Sequence, residues 1–237
     1  MHRRELILGL SALSLTAPLE AQDLLRRFTE GDARDGVREA LSLASRMATE
    51  RLGRRDGFFG DPQVRIPLPG RIADLQGMLR GVGLSGQLDA LELSLNRAAE
   101  ATMPVARNIF LDAVRSMTLT DAVGIVRGGD TSATDYLRGR TERQLHDRIR
   151  PNMANAMEAS GAYAALRPME RYVDRQDNAF SRFLRGNVSR ESLRDSVTNS
   201  ATDKALDGVF HYVGEEERAI RRDPVNRTTR LLRRVFG

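Results

Sequence analysis

The chain has no cysteine and no tryptophan among its 237 residues, and aromatic side chains make up only 5% of it. Without cysteine there is no disulfide, no thiolate nucleophile, no cysteine-ligated zinc and no thiol to carry a lipid. With so few aromatics, and with Leu, Ala and Arg dominant, the core has to be built from aliphatic side chains that suit helices better than strands. Lysine is almost missing too: of 37 basic residues only Lys204 is a lysine. The cationic surface is therefore guanidinium, which stays charged and grips a carboxylate or phosphate through two parallel bonds. Beyond the N-terminal stretch no apolar run is long enough to cross a bilayer. The familiar catalytic signatures are absent as well. Gly83-Leu84-Ser85-Gly86 lacks the closing glycine of a nucleophile elbow, there is no glycine-lysine phosphate loop, and no two histidines have zinc-helix spacing. These absences favour a binding module or a structural oligomer, the alternative being an enzyme or small-ligand-binding protein whose polar groups, Asn96, Arg97, Glu100 and Glu216, converge only in the folded chain; no metal and no cofactor is implied.

What is present begins with a leader. His2-Arg3-Arg4 precedes the apolar run Leu6 to Leu15 and small residues at Ala17 and Ala21, the order of a cleavable export signal over residues 1–21. Arg3-Arg4 also fits a twin-arginine signal. The reading is then a polar linker over residues 22–34 and one helical domain over residues 35–237, in the periplasm or secreted, with no membrane span in the mature chain.

Within that domain Val37, Leu41, Ala44, Ala48 and Leu52 recur at helical spacing up to Gly53. Three prolines forbid helix from Phe58 to Pro69, yet Val64, Ile66 and Leu68 alternate, so this stretch reads as an apolar extended loop. Helical spacing resumes with Ile72, Leu75, Leu79 and Val82. It is clearest at Leu84, Leu88, Leu91, Leu95, Ala98 and Thr102, with Leu93 opposite, which predicts a central helix covered on two sides. Another helix is expected after Pro104. Thr118 to Asp121 resembles a capping box, Gly128-Gly129 is a stop, Thr141 to Gln144 reads as a second start, and Gly161 as the next stop, with Pro151 expected to kink or divide that helix. A long helix from about Arg190 to Arg222 and a final one after Asp223-Pro224 complete an all-α, bundle-like fold with one proline-rich extended loop.

Several stretches carry a family resemblance. They are Asp56-Gly57-Phe58-Phe59 with Val64 to Pro69, Leu95 to Glu100, and a C-terminal set from Lys204 to Gly208, through Glu215-Glu216-Glu217 and Ile220 to Pro224, to Leu231 to Gly237. In these the sequence resembles a bacterial exported family catalogued as domain of unknown function 4197. The resemblance implies an exported helical domain and brings no activity, cofactor or site residue with it.

The candidate sites are few. Asp203, Asp207, His211 and Glu215 repeat every four residues, but such steps drift by about 40° each on a helix and lie opposite an apolar arc, so they read as a solvated face. Gly128-Gly129-Asp130-Thr131 could offer backbone N–H groups to an anion, although a helix stop and restart explains it as well. Glu216 falls in the middle of the apolar arc of Ala201, Ala205, Val209, Tyr212 and Ala219, where an isolated charge would cost several kcal/mol. Arg97 is its expected partner. Asn96, Arg97, Glu100 and Glu216 therefore form the candidate buried ion pair or polar pocket.

Two surface features remain. Val225, Thr228, Leu231, Leu232, Val235 and Phe236 share one side of the last helix, with Arg227, Arg230, Arg233 and Arg234 on the other. That side either docks on the bundle or meets an anionic lipid surface or an acidic protein partner. Phe58, Phe59, Ile66 and Leu68 either close the core or form an apolar contact patch. Nucleic acid is not expected as a partner despite a pI near 10.3, because aromatic interleaving is missing.

Overall fold

Small aliphatic residues at three- and four-residue spacing bury one stripe of each helix, and in a computed structural model these stripes meet in a single core. The structure describes residues 19–167 and 193–223. Helix α1 spans Leu19–Leu52, α2 Gly70–Gly81, α3 Gly86–Arg115, α4 Leu119–Arg127 and α5 Ser132–Ala159. A 3-10 turn follows at Ala162–Leu166, and α6 spans Leu193–Arg222. No strand occurs among the described residues.

Helix α3 is central, touching α1, α2, α5 and α6. Its predicted stripe Leu88, Leu91, Leu95, Ala98 and Thr102 is buried, and Leu93 on the opposite side is half-buried. Leu84 departs from expectation, since the helix starts two residues later and leaves it exposed. Helix α1 lies antiparallel to α3: Arg38 reaches Met117 at one end, and Gly53 approaches Met103 at the other. Helix α6 also runs antiparallel to α1, with Arg51 stacked over Tyr212 and Ala40 beside Ile220. Helix α5 closes the bundle antiparallel to α6.

Three boundaries differ from the sequence reading. The stretch read as a linker, 22–34, is helical backbone continuous with the rest of α1. Neither proline divides its helix: Pro104 lies inside α3 and Pro151 inside α5, both on exposed faces where the ring meets water and not packed side chains. Thr141 does not start a helix. It is buried in the middle of α5, and its hydroxyl donates to the Leu137 carbonyl, so a threonine of start-signal type serves here as an internal back-bonded residue. The capping box at Thr118 and Asp121 is present, and the Thr118 N–H holds the Asp121 carboxyl below its ordinary range. Gly161 ends α5 in the left-handed conformation, at φ 68°.

The loop between α1 and α2 is a wall of the core. Phe58, Val64, Ile66 and Leu68 are all buried while Arg65 and Pro67 face out, which is the alternation of an extended chain with one dry side. Phe58 fits because Gly208 has no side chain, since a Cβ there would lie 2.8 Å from the Phe58 ring.

Candidate functional site

The loop cannot form a sheet, so its backbone needs other partners, and one polar row on α3 supplies them. Asn96 reads the Ile66 peptide from both sides. Its Oδ1 accepts from the Ile66 N–H at 2.9 Å, and its Nδ2 donates to the Ile66 carbonyl at 2.8 Å. One turn on, Glu100 accepts from the N–H groups of Phe58 and Phe59 at 3.1 and 3.4 Å. Arg97 pairs with Glu100 at 2.7 Å and with Asp56 at 2.6 Å, and Asp56 itself has φ 65°. One turn before Asn96, Glu92 takes Arg65 from the loop and Gln76 from α2, each at 2.8 Å. Asp89 finishes the row, held near pKa 2 by hydrogen bonds from Ser85, Arg80 and Gln76. Three of the four residues grouped as a candidate pocket, Asn96, Arg97 and Glu100, are thus brought together, with their polar atoms engaged by the loop.

The fourth, Glu216, lies elsewhere. The expected Arg97–Glu216 pair does not form, because Arg97 turns to Asp56 and Glu100. Glu216 is half-buried near Arg51, and loss of hydration raises its carboxyl above the usual value. Beside it, the Tyr212 hydroxyl donates to Asp61, which Arg51 also reaches at 3.1 Å. Burial first, and the bond to Asp61 second, push the Tyr212 phenol up to about 12.

The buried carboxylate of α6 is the next residue, Glu217. Sequence reasoning missed it because α6 is buried on both flanks, Thr202 and Leu206 on one and Gly208 and Tyr212 on the other, so its central line was set one residue off. Val197, Ala201, Ala205, Val209, Val213 and Glu217, four residues apart, are all buried. Glu217 accepts from the N–H groups of Ala133 and Thr134 at 3.0 and 2.8 Å and from the Thr134 hydroxyl at 2.7 Å. It therefore caps α5, whose own preceding residue, Thr131, makes no side-chain cap. Arg221 pairs with Glu217 at 2.9 Å and donates to Ser132 and to the last turn of α4 at Ile125. The junction at Gly128 to Thr131 does precede an anion at a helix start, and that anion is the protein's own carboxylate. The signal available in the sequence was the Glu217–Arg221 spacing of four; the missing cap at Thr131 was not legible, because Asp130, Thr131 and Ser132 are all capping-type residues.

The other candidates take surface positions. Asp203, Asp207, His211 and Glu215 are exposed, facing His146, Arg138, Gln63 and Arg218 respectively. No group of three or more His, Asp or Glu side chains could hold a metal among the described residues, and no helix there is long and apolar enough to cross a membrane. Of the two readings of Phe58, Phe59, Ile66 and Leu68, closing the core describes three: Phe58, Ile66 and Leu68 belong to it, and half-buried Phe59 lies under the Arg65 guanidinium at 4.1 Å. Among the described residues the exposed large apolar side chains are Met78, Val82 and Leu84, near one another along the chain at 61%, 69% and 69% exposed, and Met47 on α1 at 43%. Arg227, Arg230, Arg233 and Arg234 lie outside the described residues, as does the leader through residue 18.

A family model described as a protein of unknown function, DUF4197, matches residues 27–237. No curated protein and no solved structure matches the chain.

Proposed function

The chain belongs to the DUF4197 family of proteins of unknown function, and on that premise we propose that it is a non-catalytic binding module of the bacterial envelope, exported to the periplasm, that engages an anionic lipid surface. The observation that carries this reading is a contrast. The buried polar row of α3 is engaged in holding the loop and α2, whereas Met78, Val82 and Leu84 stand in water at one corner. A row already bonded within the protein fixes structure, and an apolar corner in water favours contact with another surface. The arginines at 227, 230, 233 and 234 supply the charge that such a surface attracts.

Co-sedimentation with vesicles tests it. The full mature chain is expected to pellet with phosphatidylglycerol-containing vesicles, to stay in solution with phosphatidylcholine alone, and to release as salt rises. Replacing the four arginines by glutamine should abolish pelleting, and Met78→Ser with Leu84→Ser should weaken it. Binding that ignores all of these changes, or capture of an acidic protein in place of vesicles, overturns the lipid assignment.

A further inference from the structure

Helix α2 is weak by its own sequence. Three of its 12 residues are glycine, Gly70, Gly77 and Gly81, and each favours helix less than alanine would. It starts after Pro69 with no side-chain cap and has no acid in its first turn. Both of its ends turn on exposed glycines in the left-handed conformation, Gly70 at φ 46° and Gly83 at φ 73°. What keeps α2 in place is therefore its contact with α3, and that hold is narrow. Only Ile72 and Gln76 of the helix are buried. The Gln76 amide donates from one nitrogen to two carboxylates of α3, Asp89 and Glu92, at 2.8 Å each, and Arg80 adds an exposed bond to Asp89 at 2.6 Å.

The apolar side of α2 is wider than the surface that covers it. At about 100° per residue, Ile72, Leu79, Leu75 and Met78 follow one another round an arc of about 120°. Burial falls along that arc: Ile72 is buried, Leu79 and Leu75 are half-buried, and Met78 is 61% exposed. Exposed Arg71 lies on the same open edge, and exposed Val82 and Leu84 follow the last turn. The bundle thus takes one edge of the arc, whereas a flat apolar boundary would take all of it. Departure of α2 strands no carboxylate, because Asp89 keeps the Ser85 hydroxyl and Glu92 keeps Arg65.

We propose that α2 is a hinged flap, which swings off α3 about Gly70 and Gly83 on meeting an anionic lipid surface and turns its whole apolar arc onto that surface. The open form gains Ile72, Leu75 and Leu79 as lipid contacts, and this differential contact is what drives the opening. The flap deepens the lipid reading above and rests on it for the trigger, while the hinge itself needs no lipid.

Hydrogen exchange tests the hinge without vesicles. Gln76→Glu sets a third carboxylate against Asp89 and Glu92, so in the full mature chain amides 73–81 should exchange about tenfold faster than in the parent, with amides 95–110 of α3 unchanged. Protection of α2 that is unchanged, or lost together with that of α3, overturns the flap. The chain has no tryptophan, so a single introduced one reports its own surroundings. With phosphatidylglycerol vesicles whose acyl chains carry bromine, Leu79→Trp on the covered edge should be quenched as strongly as Met78→Trp on the open edge, and Met47→Trp on α1 should not be quenched. Leu75→Trp replaces Leu79→Trp if circular dichroism shows that variant unfolded. Quenching at 78 without quenching on the covered edge, or equal quenching at all three positions, overturns the opening and leaves the lipid reading standing. Faster exchange in Gln76→Glu with no quenching anywhere keeps the hinge and sinks lipid as its trigger, and the lipid reading with it.

Discussion

Arg221 donates to Glu217 one turn back along α6 at 2.9 Å, and both side chains are almost shut off from water. The pair is tolerated because neither charge has only the other: Glu217 also takes two backbone N–H groups and a hydroxyl, and Arg221 takes a carbonyl and a hydroxyl. Removing one member leaves the other buried and unpaired, at a cost of about 3–5 kcal/mol. Glu217→Ala should therefore destabilise the domain by about that much in urea titration. Glu215→Ala, at an exposed pair, should stay within about 1 kcal/mol. The assignment fails if the two variants unfold together.

Gly208 tests the fit of the loop against α6. A Cβ would come within 2.8 Å of the Phe58 ring and 3.2 Å of the Val64 Cβ, and both neighbours are buried. Gly208→Ala gains helix propensity but overpacks, and a net loss of about 1–3 kcal/mol is expected by thermal melting. Unchanged stability would mean that the loop does not press on α6.

Asn96 tests what the polar row is for. Asn96→Ala strips the Ile66 peptide of both partners, each worth about 1–3 kcal/mol when left unsatisfied. Limited proteolysis should then cut between residues 58 and 69 well before the helices open. Protection equal to that of the parent chain would deny Asn96 its role in holding the loop.

Two titrations bound the pH range. The Tyr212 phenol is raised from 10.0 to about 12, so the folded state holds its proton more tightly; this stability is present below pH 10 and is lost as pH rises toward 12. Asp89 is lowered from 3.8 to about 2, so its contribution is present above pH 3.8 and is lost as pH falls toward 2. Melting temperature against pH should show both losses. Tyr212→Phe should flatten the alkaline one while leaving the acid one in place.

Much of the fold is legible in the sequence because aliphatic spacing is local information. Val37 to Leu52 and Leu88 to Thr102 are buried as their spacing predicts, and the alternation of Val64, Ile66 and Leu68 names the dry side of a loop that forms no sheet. What spacing cannot give is which surface faces a given polar atom. Asn96 and Glu100 meet backbone groups of a loop 30–42 residues away, and Arg97 meets the Asp56 carboxylate there, 41 residues away. Glu217 escaped notice because a helix buried on both flanks has no sharp midline, and a one-residue error turns the side chain by about 100°. The arginine excess also has a structural use that composition hides. Arg51, Arg65, Arg138 and Arg194 each lie over an aromatic ring, with the guanidinium carbon 4.0–5.2 Å from the centroid. They shield the rims of a core that has few aromatic rings to spend.

The cap on α5 arrives late in the chain. Ala133 and Thr134 wait for an acceptor that lies 84 and 83 residues further on, so during synthesis the first turn of α5 lacks this acceptor until residue 217 has emerged. A fragment ending before α6 would lack the acceptor for that turn as well as the row that fills the core, and trimming from the C-terminus toward 217 should abolish folding abruptly instead of eroding it.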